Sequence, residues 1–267
     1  MHMQHIDSLA NPKIKLAAQL AKRGPREKAG LFLAEGVRLA EMAAASDWGI
    51  DYALVTEQAT GEPRTAAVLA QLAARDVPVF CVPPKVYEKA SCTETPQGLL
   101  LVVHQKSWHL DDLTAETQPC YVVLDRIQDP GNLGTILRTA DAAGMTGLVL
   151  LKGTVDVYSP KVVRAAMGSL FHLPIVTDVT ETAFLTFAGR QQLCLYATAL
   201  DATTQPYHTA HFHAASAIIF GNEGQGVSKR LLAASEKLYI PMYGGAESLN
   251  VAVSSAIVLY EAVRQRH

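Results

Sequence analysis

Three short stretches of this 267-residue chain place polar side chains and glycines at the ends of apolar runs. The first, DRIQDPGNLGTILRTADAAG, holds Asn132 and, six residues on, Arg138. The second is GNEGQG, residues 221–226, with Glu223 between glycines; the third, PMYGGAESLN, ends on Ser248 and Asn250. Ligands of open α/β sheets bind at the carboxyl ends of strands, so three such turns point to one composite site. Each stretch also has a plainer explanation. Asn132 suits the cap of a helix beginning near Leu133, and Ser248 or Asn250 the cap of a final helix. Arg138, nearly two turns along and on roughly the same side as Asn132, would ordinarily pair with an acid; Asp125, Asp129 and Asp141 are near in sequence. Glu223 has the setting of a solvated loop carboxylate. The glycines of 221–226 let backbone approach a ligand closely, or simply make a tight turn into the next helix. The turn matches neither G-x-G-x-x-G nor G-x-x-x-x-G-K-[ST], which argues against a dinucleotide fingerprint or a P-loop.

Hydrophobic periodicity supplies the elements that must position these turns. It predicts helices over 13–22, 36–45 and 64–75, and buried strands over 31–34, 52–55, 77–82 and 99–103. Residues 1–104 thus form a small α/β domain. From 105 to 118 the pattern breaks into polar and charged residues, including Asp111, Asp112 and Glu116, and reads as a linker. Over 119–267, apolar runs at 121–124, 148–151, 193–197, 217–220 and 238–240 alternate with helix-like segments. That alternation argues a mostly parallel sheet with helices on both faces, closed by a helix from about 250 to 264.

A hydrophobic content of 49% is enough to bury a core in each of two domains. No run of about 18 apolar residues and no signal peptide are evident, so a soluble intracellular protein is expected. His2, ahead of Met3, is assigned no role. Cys81, Cys92, Cys120 and Cys194 are scattered, which fits reduced structural thiols better than a metal site or a disulfide framework. No metal is expected. The net charge of −2 announces no polyanionic partner, yet residues 11–28 hold six basic side chains (Lys13, Lys15, Lys22, Arg23, Arg26, Lys28) against one acid, Glu27. Such a cluster is either a solvated face or a phosphate-binding patch with salt-dependent affinity.

Taken together, NLGTILRTADAAG, IIFGNEGQGVS and IPMYGGAESLNVAVSSAI resemble the three motifs of the SpoU (TrmH-like) RNA 2′-O-methyltransferases of the SPOUT superfamily, in order, in spacing and in placement at strand ends. The resemblance covers 121–267. Less specifically, GLFLAEGVRLAEMA resembles the substrate-binding domain ahead of the catalytic domain in ribosomal-RNA members. The implied fold is a C-terminal trefoil-knotted α/β domain with a parallel sheet, preceded by a small α/β substrate-binding domain. Knots run against general base rates, and nothing in periodicity shows one. A homodimer through the C-terminal domain is implied as well, with the RNA pocket drawing on both chains.

The resemblance further implies S-adenosylmethionine as cofactor, held by backbone at Gly221, Ile240 and Leu249, with Thr198 a weaker addition. Its catalytic positions fall on Asn132, Arg138, Glu223, Ser248 and Asn250. Family mechanisms make the arginine a base, but a guanidinium stays protonated at ordinary pH. Arg138 is therefore expected to grip the adjacent phosphate and orient the ribose hydroxyl, with the proton lost late to water or Glu223. Lys22, Arg23, Arg26 and Lys28 are expected to contact RNA phosphates. Ribosomal RNA is the expected substrate. The alternatives are tRNA, a base-methylating relative, or a catalytically silent RNA-binding protein of the same fold.

Overall fold

The computed structural model of the chain describes residues 3–113, 117–200 and 203–267; His2 and the 114–116 part of the expected linker, with Glu116, lie outside them. Two units are distinguished, Met1–Lys106 with Asp156–Phe171, and Ser107–Val155 with His172–His267. Division by composition alone leaves Asp156–Phe171 in the C-terminal domain. Tertiary packing puts it with the N-terminal one, because its aromatic side chains cover that unit's sheet.

In the first unit, strands β1 (Gln4–His5), β2 (Leu31–Glu35), β3 (Ile50–Thr56), β4 (Val79–Val82) and β5 (Leu99–His104) form a mixed sheet of order β1-β4-β3-β5-β2. Only β5 runs antiparallel to its neighbours, β2 and β3. On one face Leu33, Tyr52, Leu54, Leu100 and Val102 pack with Ile14 and Ala17 of α1 (Pro12–Gln19) and Val86 and Tyr87 of α6 (Pro84–Ala90). Helices α2 (Arg23–Ala29), α3 (Val37–Ala45), α4 (Glu57–Thr60) and α5 (Pro63–Ala74) complete the first stretch. The returning segment carries α8 (Pro160–Ala165), which packs on β2. Phe32 of β2 lies 5.0 Å from the Tyr158 ring, and Trp48 lies 5.2 Å from Phe171, centroid to centroid, in edge and tilted contacts favourable beyond their buried area.

Arg26 departs from the expected phosphate-binding role. It is the one buried side chain of α2 and only 3% exposed. Its Nε and Nη2 donate to Asp156 Oδ2, and its Nη1 donates to the Leu20 carbonyl at 2.7 Å. A guanidinium so enclosed ties α2 to the returning segment and is not available to RNA. Removing one partner of a buried pair strands the other charge. Arg26→Ala is expected to cost about 3 kcal/mol, at the low end for such pairs because the Asp156 side chain keeps 16% exposure. The midpoint of chemical denaturation measures this, and an unmoved midpoint refutes a structural role.

Among the described residues the second unit is built on seven strands, all paired in parallel: β6 (Cys120–Asp125), β7 (Gly147–Leu151), β8 (Ile175–Val179), β9 (Cys194–Thr198), β10 (Gln205–Pro206), β11 (Ser216–Gly221) and β12 (Glu236–Tyr239). Their order is β10-β12-β9-β11-β6-β7-β8. The inner strands are buried along their whole length, which is why they read as apolar runs without alternation. Tyr121, Val123, Val149 and Ile219 pack with Phe184 and Phe187 of α9 (Glu181–Arg190) and with Leu231 of α10 (Lys229–Ala233). Helix α11 (Val251–Arg266) packs on β11 and on α7 (Pro130–Ala142), which also packs on β7. Strand β8 escaped the sequence reading because Thr177 and Asp178 are exposed and interrupt its apolar run at the sheet edge. Among the described residues no helix is long and apolar enough to cross a membrane.

This order determines where the site forms. The chain runs outward from β6 through β7 to β8, then returns on the other side of β6, so the order reverses between β6 and β11 and the turns that leave these two strands lie side by side. Gly221 pairs with Asp125 at the ends of those two strands, and β9 and β12 end alongside.

Candidate active site

Helix α7 begins three residues earlier than expected. Its cap is Asp129, whose Oδ1 accepts the Asn132 N–H at 2.8 Å, followed by Pro130 in the first turn. That frees the Asn132 side chain for another use. Its Nδ2 donates to Glu223 Oε1 at 2.9 Å, and its Oδ1 accepts from Asn250 Nδ2 at 2.9 Å. Asn250 in turn caps α11, its Oδ1 accepting the N–H groups of Ala252 (2.8 Å) and Val253 (3.3 Å). The direction of the relay is set at both ends. A carboxylate only accepts, so the Asn132 amide must present nitrogen to Glu223, and the backbone N–H groups of α11 claim the Asn250 oxygen. One hydrogen-bonded chain thus joins all three stretches that the sequence singled out.

Glu223 also accepts the backbone N–H groups of Gln128 and Asp129, each at 3.2 Å. Partial burial pushes its carboxyl up, but the Asn132 amide and the backbone donors outweigh that and hold it below the usual carboxylate range. The group stands as a fixed anion that organises donors.

The loop carrying Glu223 is pinned by residues to which the sequence reading gave no site role. Asn222 Oδ1 accepts the N–H groups of Gly224 and Gln225, both at 3.0 Å, and its Nδ2 donates to the Arg126 carbonyl at 2.9 Å. Arg126 takes a positive φ of 59° directly after β6. Its Nε donates to the buried Asp125 at 2.8 Å, and its Nη1 donates to Gln225 Oε1 at 3.1 Å. Asp125 Oδ2 accepts the Ser228 N–H at 2.7 Å. Sequence offers Asp125 only as a partner for Arg138, and a left-handed arginine leaves no mark in sequence. Gly221 is indispensable for a different reason. A Cβ there would overlap the Gly226 carbonyl group and the Val227 nitrogen, so the loop closes back on the strand end only over a bare backbone.

Beside this loop lies a cleft of about 650 Å³, a size that suits a small-molecule ligand. Thr198, Gly221, Ile240 and Leu249 all line it, together with Glu223, Ser248 and Asn250. Leu238, Met242 and Val258 add apolar wall. Ser248 is therefore at the cleft and does not cap the last helix, since Asn250 does.

Arg138 is exposed and, among the described residues, has neither hydrogen-bond nor ion-pair partner. The three acids near it in sequence are engaged elsewhere: Asp125 with Arg126, Asp129 as the α7 cap, and Asp141 with His172 at 3.0 Å. At about 100° per residue, six positions leave it roughly 120° round the helix from Asn132, so the two do not share a side as spacing had suggested. Lys22, Arg23 and Lys28 are exposed in the first unit, with Arg23 Nε 2.6 Å from Glu27.

Comparison with known proteins shows the family of the chain. Residues 119–260 match the SpoU rRNA Methylase family, and residues 11–101 match an MRM3-like substrate binding domain. The chain is 36% identical to the 23S rRNA (guanosine(2553)-2′-O)-methyltransferase RlmP of Bacillus subtilis, over 97% of this chain and 98% of that one. It is 31% identical to a 23S rRNA (uridine(2479)-2′-O)-methyltransferase of Streptomyces viridochromogenes, over 93% and 88%. The crystal structure of an AdoMet-bound rRNA methyltransferase from Sinorhizobium meliloti superposes with a TM-score of 0.88 at 34% identity, covering 98% of each chain. With its two matched regions, its relatives over nearly full length and its three joined motifs, the chain belongs to the SpoU rRNA methylase family.

Proposed function

We propose that this chain transfers a methyl group from S-adenosylmethionine to a ribose 2′-hydroxyl of large-subunit ribosomal RNA. The observation that carries this reading is the Asn250–Asn132–Glu223 relay beside a cleft that all four expected cofactor positions line. The cleft suits the cofactor in kind. Gly221 lets the 222–226 loop close over the strand end and so shapes the cleft, and the walls offer apolar side chains and strand-end backbone in place of a phosphate cradle. Gly221, Ile240 and Leu249 would hold the cofactor, with Thr198 beside them. When bound, S-adenosylmethionine supplies an activated methyl group.

The chain's own residues then have positional work. Asn132 and Asn250 hold each other and Glu223, and so fix the rim over which a ribose must lie. Arg138, which has no partner among the described residues, is matched to a phosphate by its planar donor fork. Held alignment of the reacting atoms can supply much of a rate enhancement. Glu223 is a poor proton acceptor, since its donors stabilise the ionised form, so the hydroxyl proton leaves to water. The sign follows. A carboxyl whose folded value lies below the unfolded one contributes stability above about pH 4.3, lost as pH falls through the folded value. Between pH 6 and 9 Glu223 stays ionised on this reading. Glu223→Gln is then expected to lower the rate about ten- to a hundredfold through misplacement, with the shape of the pH profile retained. Loss of an ascending limb in the variant would identify Glu223 as a base instead.

Two further features accompany the proposal. The trefoil knot, with the last helix α11 passed through a loop, is part of the same proposal. Leu249, Val253 and Tyr260 are exposed apolar side chains at and along α11, and a second copy of the chain would cover them in a homodimer. The first unit is assigned to RNA binding, and a ribosomal substrate suits a cytoplasmic enzyme. Incubation with labelled S-adenosylmethionine and separated ribosomal RNA and tRNA, followed by mass spectrometry of the modified nucleotide, tests the proposal. Label as 2′-O-methyl ribose in large-subunit RNA supports it; label confined to tRNA or to a base, or no label, overturns it.

A further inference from the structure

The first unit holds a second groove, of about 620 Å³, whose lining has no place in the methyl-transfer site. Three cations converge on it. Arg38 stands in the first turn of α3, and Lys161 and Arg164 stand three residues apart on α8, hence on one helix face. Arg164 is half-buried, its Nη1 donating to the Cys92 carbonyl at 3.0 Å, which holds the guanidinium at the groove wall. Arg38 and Lys161 are exposed and, among the described residues, make no hydrogen bond or ion pair.

Two carboxylates also line the groove, and they do not cancel this field equally. Glu35 is buried, and its oxygens are already claimed: Oε1 by the hydroxyls of Ser91 and Thr93 (2.8 Å for the latter), Oε2 by the Cys92 N–H at 2.8 Å. Its role is to brace the 91–93 turn from β2. Glu94 is exposed. Gln97 accepts the Val37 N–H through Oε1 at 3.1 Å, leaving its amide nitrogen without a partner among the described residues. Spread cations with interleaved neutral hydrogen-bonding groups suit an extended polyanion, whose backbone is bound by charge and positioned by polar contacts.

We propose that this groove binds the sugar-phosphate backbone of the ribosomal RNA substrate, with Arg38 and Lys161 on phosphates and Arg164 as a fixed guanidinium between them. The proposal rests on the ribosomal-RNA reading above and relocates the main phosphate contacts from α2 to α3 and α8. It also gives a reason for Asp156–Phe171 to pack with the first unit, since without that segment the groove would lack two of its three cations.

The test uses the full chain and deproteinised large-subunit ribosomal RNA, with binding read by filter retention across a salt series and without any methyl transfer. The Arg38→Gln, Lys161→Gln double variant is expected to bind at least tenfold more weakly near 100 mM salt. It should also lower the slope of log affinity against log salt by about 1.5, the value for two lost phosphate contacts at roughly 0.7–0.9 each. Its melting temperature and its affinity for S-adenosylmethionine should be those of the unaltered chain. The Lys22→Gln, Arg23→Gln double variant makes the same charge change elsewhere and should lose much less. Equal losses in the two variants, wild-type binding by the groove variant, or no RNA binding by the unaltered chain overturns the proposal. Because binding is read separately from methyl transfer, a chain that binds through the groove yet labels no ribosomal RNA would sink the functional reading alone.

Discussion

Arg138→Lys is expected to lower the rate of methyl transfer about 100-fold while leaving affinity for S-adenosylmethionine unchanged. The expectation follows from geometry and from the chemistry of the two cations. Arg138 is exposed with no hydrogen-bond or ion-pair partner among the described residues, and the acids that sequence placed near it are all occupied, so its donors suit a ligand from outside the chain. A guanidinium meets a phosphate through two parallel N–H groups, whereas an ammonium is a point charge that lets the phosphate turn. A misplacement of about 1 Å at the reacting centre can cost two orders of magnitude. Single-turnover rates at saturating RNA and cofactor measure this from pH 7 to 10. The pH series separates two roles. Lysine releases its proton near pH 10.4, far more readily than arginine. If position 138 removed the ribose proton, the lysine variant should recover with rising pH. If it grips phosphate, the variant stays slow throughout. Turnover equal to the unaltered chain, with normal RNA affinity, would end the gripping role.

Gly221→Ala should be the most damaging single methyl group in the second unit. The added Cβ would overlap backbone atoms of Gly226 and Val227, which cannot swing aside as a side chain can. Either β11 or the 222–226 loop must shift. Overpacking of this sort costs about 1–3 kcal/mol. If that cost falls on the loop, cofactor affinity drops about ten- to a hundredfold, at 1.4 kcal/mol per tenfold. Titration calorimetry with S-adenosylmethionine measures it. Gly224→Ala is the control. Gly224 lines the same cleft, but a Cβ there would meet only the Asn222 Oδ1 atom, at 3.7 Å, an ordinary contact. Equal effects from the two substitutions would show that the close approach at Gly221 is not what shapes the cleft.

Much of this was legible in the residues. The buried strands β6, β7 and β11 stood out because a parallel strand covered on both faces is apolar throughout. Asn132, Glu223 and Asn250 stand out as polar side chains at strand ends and helix starts, and the resemblance to the SpoU motifs gives them catalytic positions. Each nonetheless admitted a local explanation that only three-dimensional neighbours removed. Asn132 was a plausible cap until Asp129 was found in that position, and Asn250 proved to be both a cap and a donor to the site. Helix α2 went unread because its only buried side chain is a charged one, so hydrophobic periodicity had nothing to register. The same reason misdirected Arg26, which resembles its exposed neighbours in every respect except burial.

The sequence by itself determined that there are two α/β regions, the inner buried strands and the polar turns at their ends, because these follow from local periodicity and from side-chain chemistry. Only the tertiary structure decided which of those groups meet. The return of the chain to the far side of β6 is a long-range choice, and it alone brings residues 91 and 118 positions apart into one hydrogen-bonded relay. Burial of Arg26 and the transfer of Asp156–Phe171 to the first unit are likewise properties of packing, which fills space between distant segments and leaves no trace in the spacing of either one.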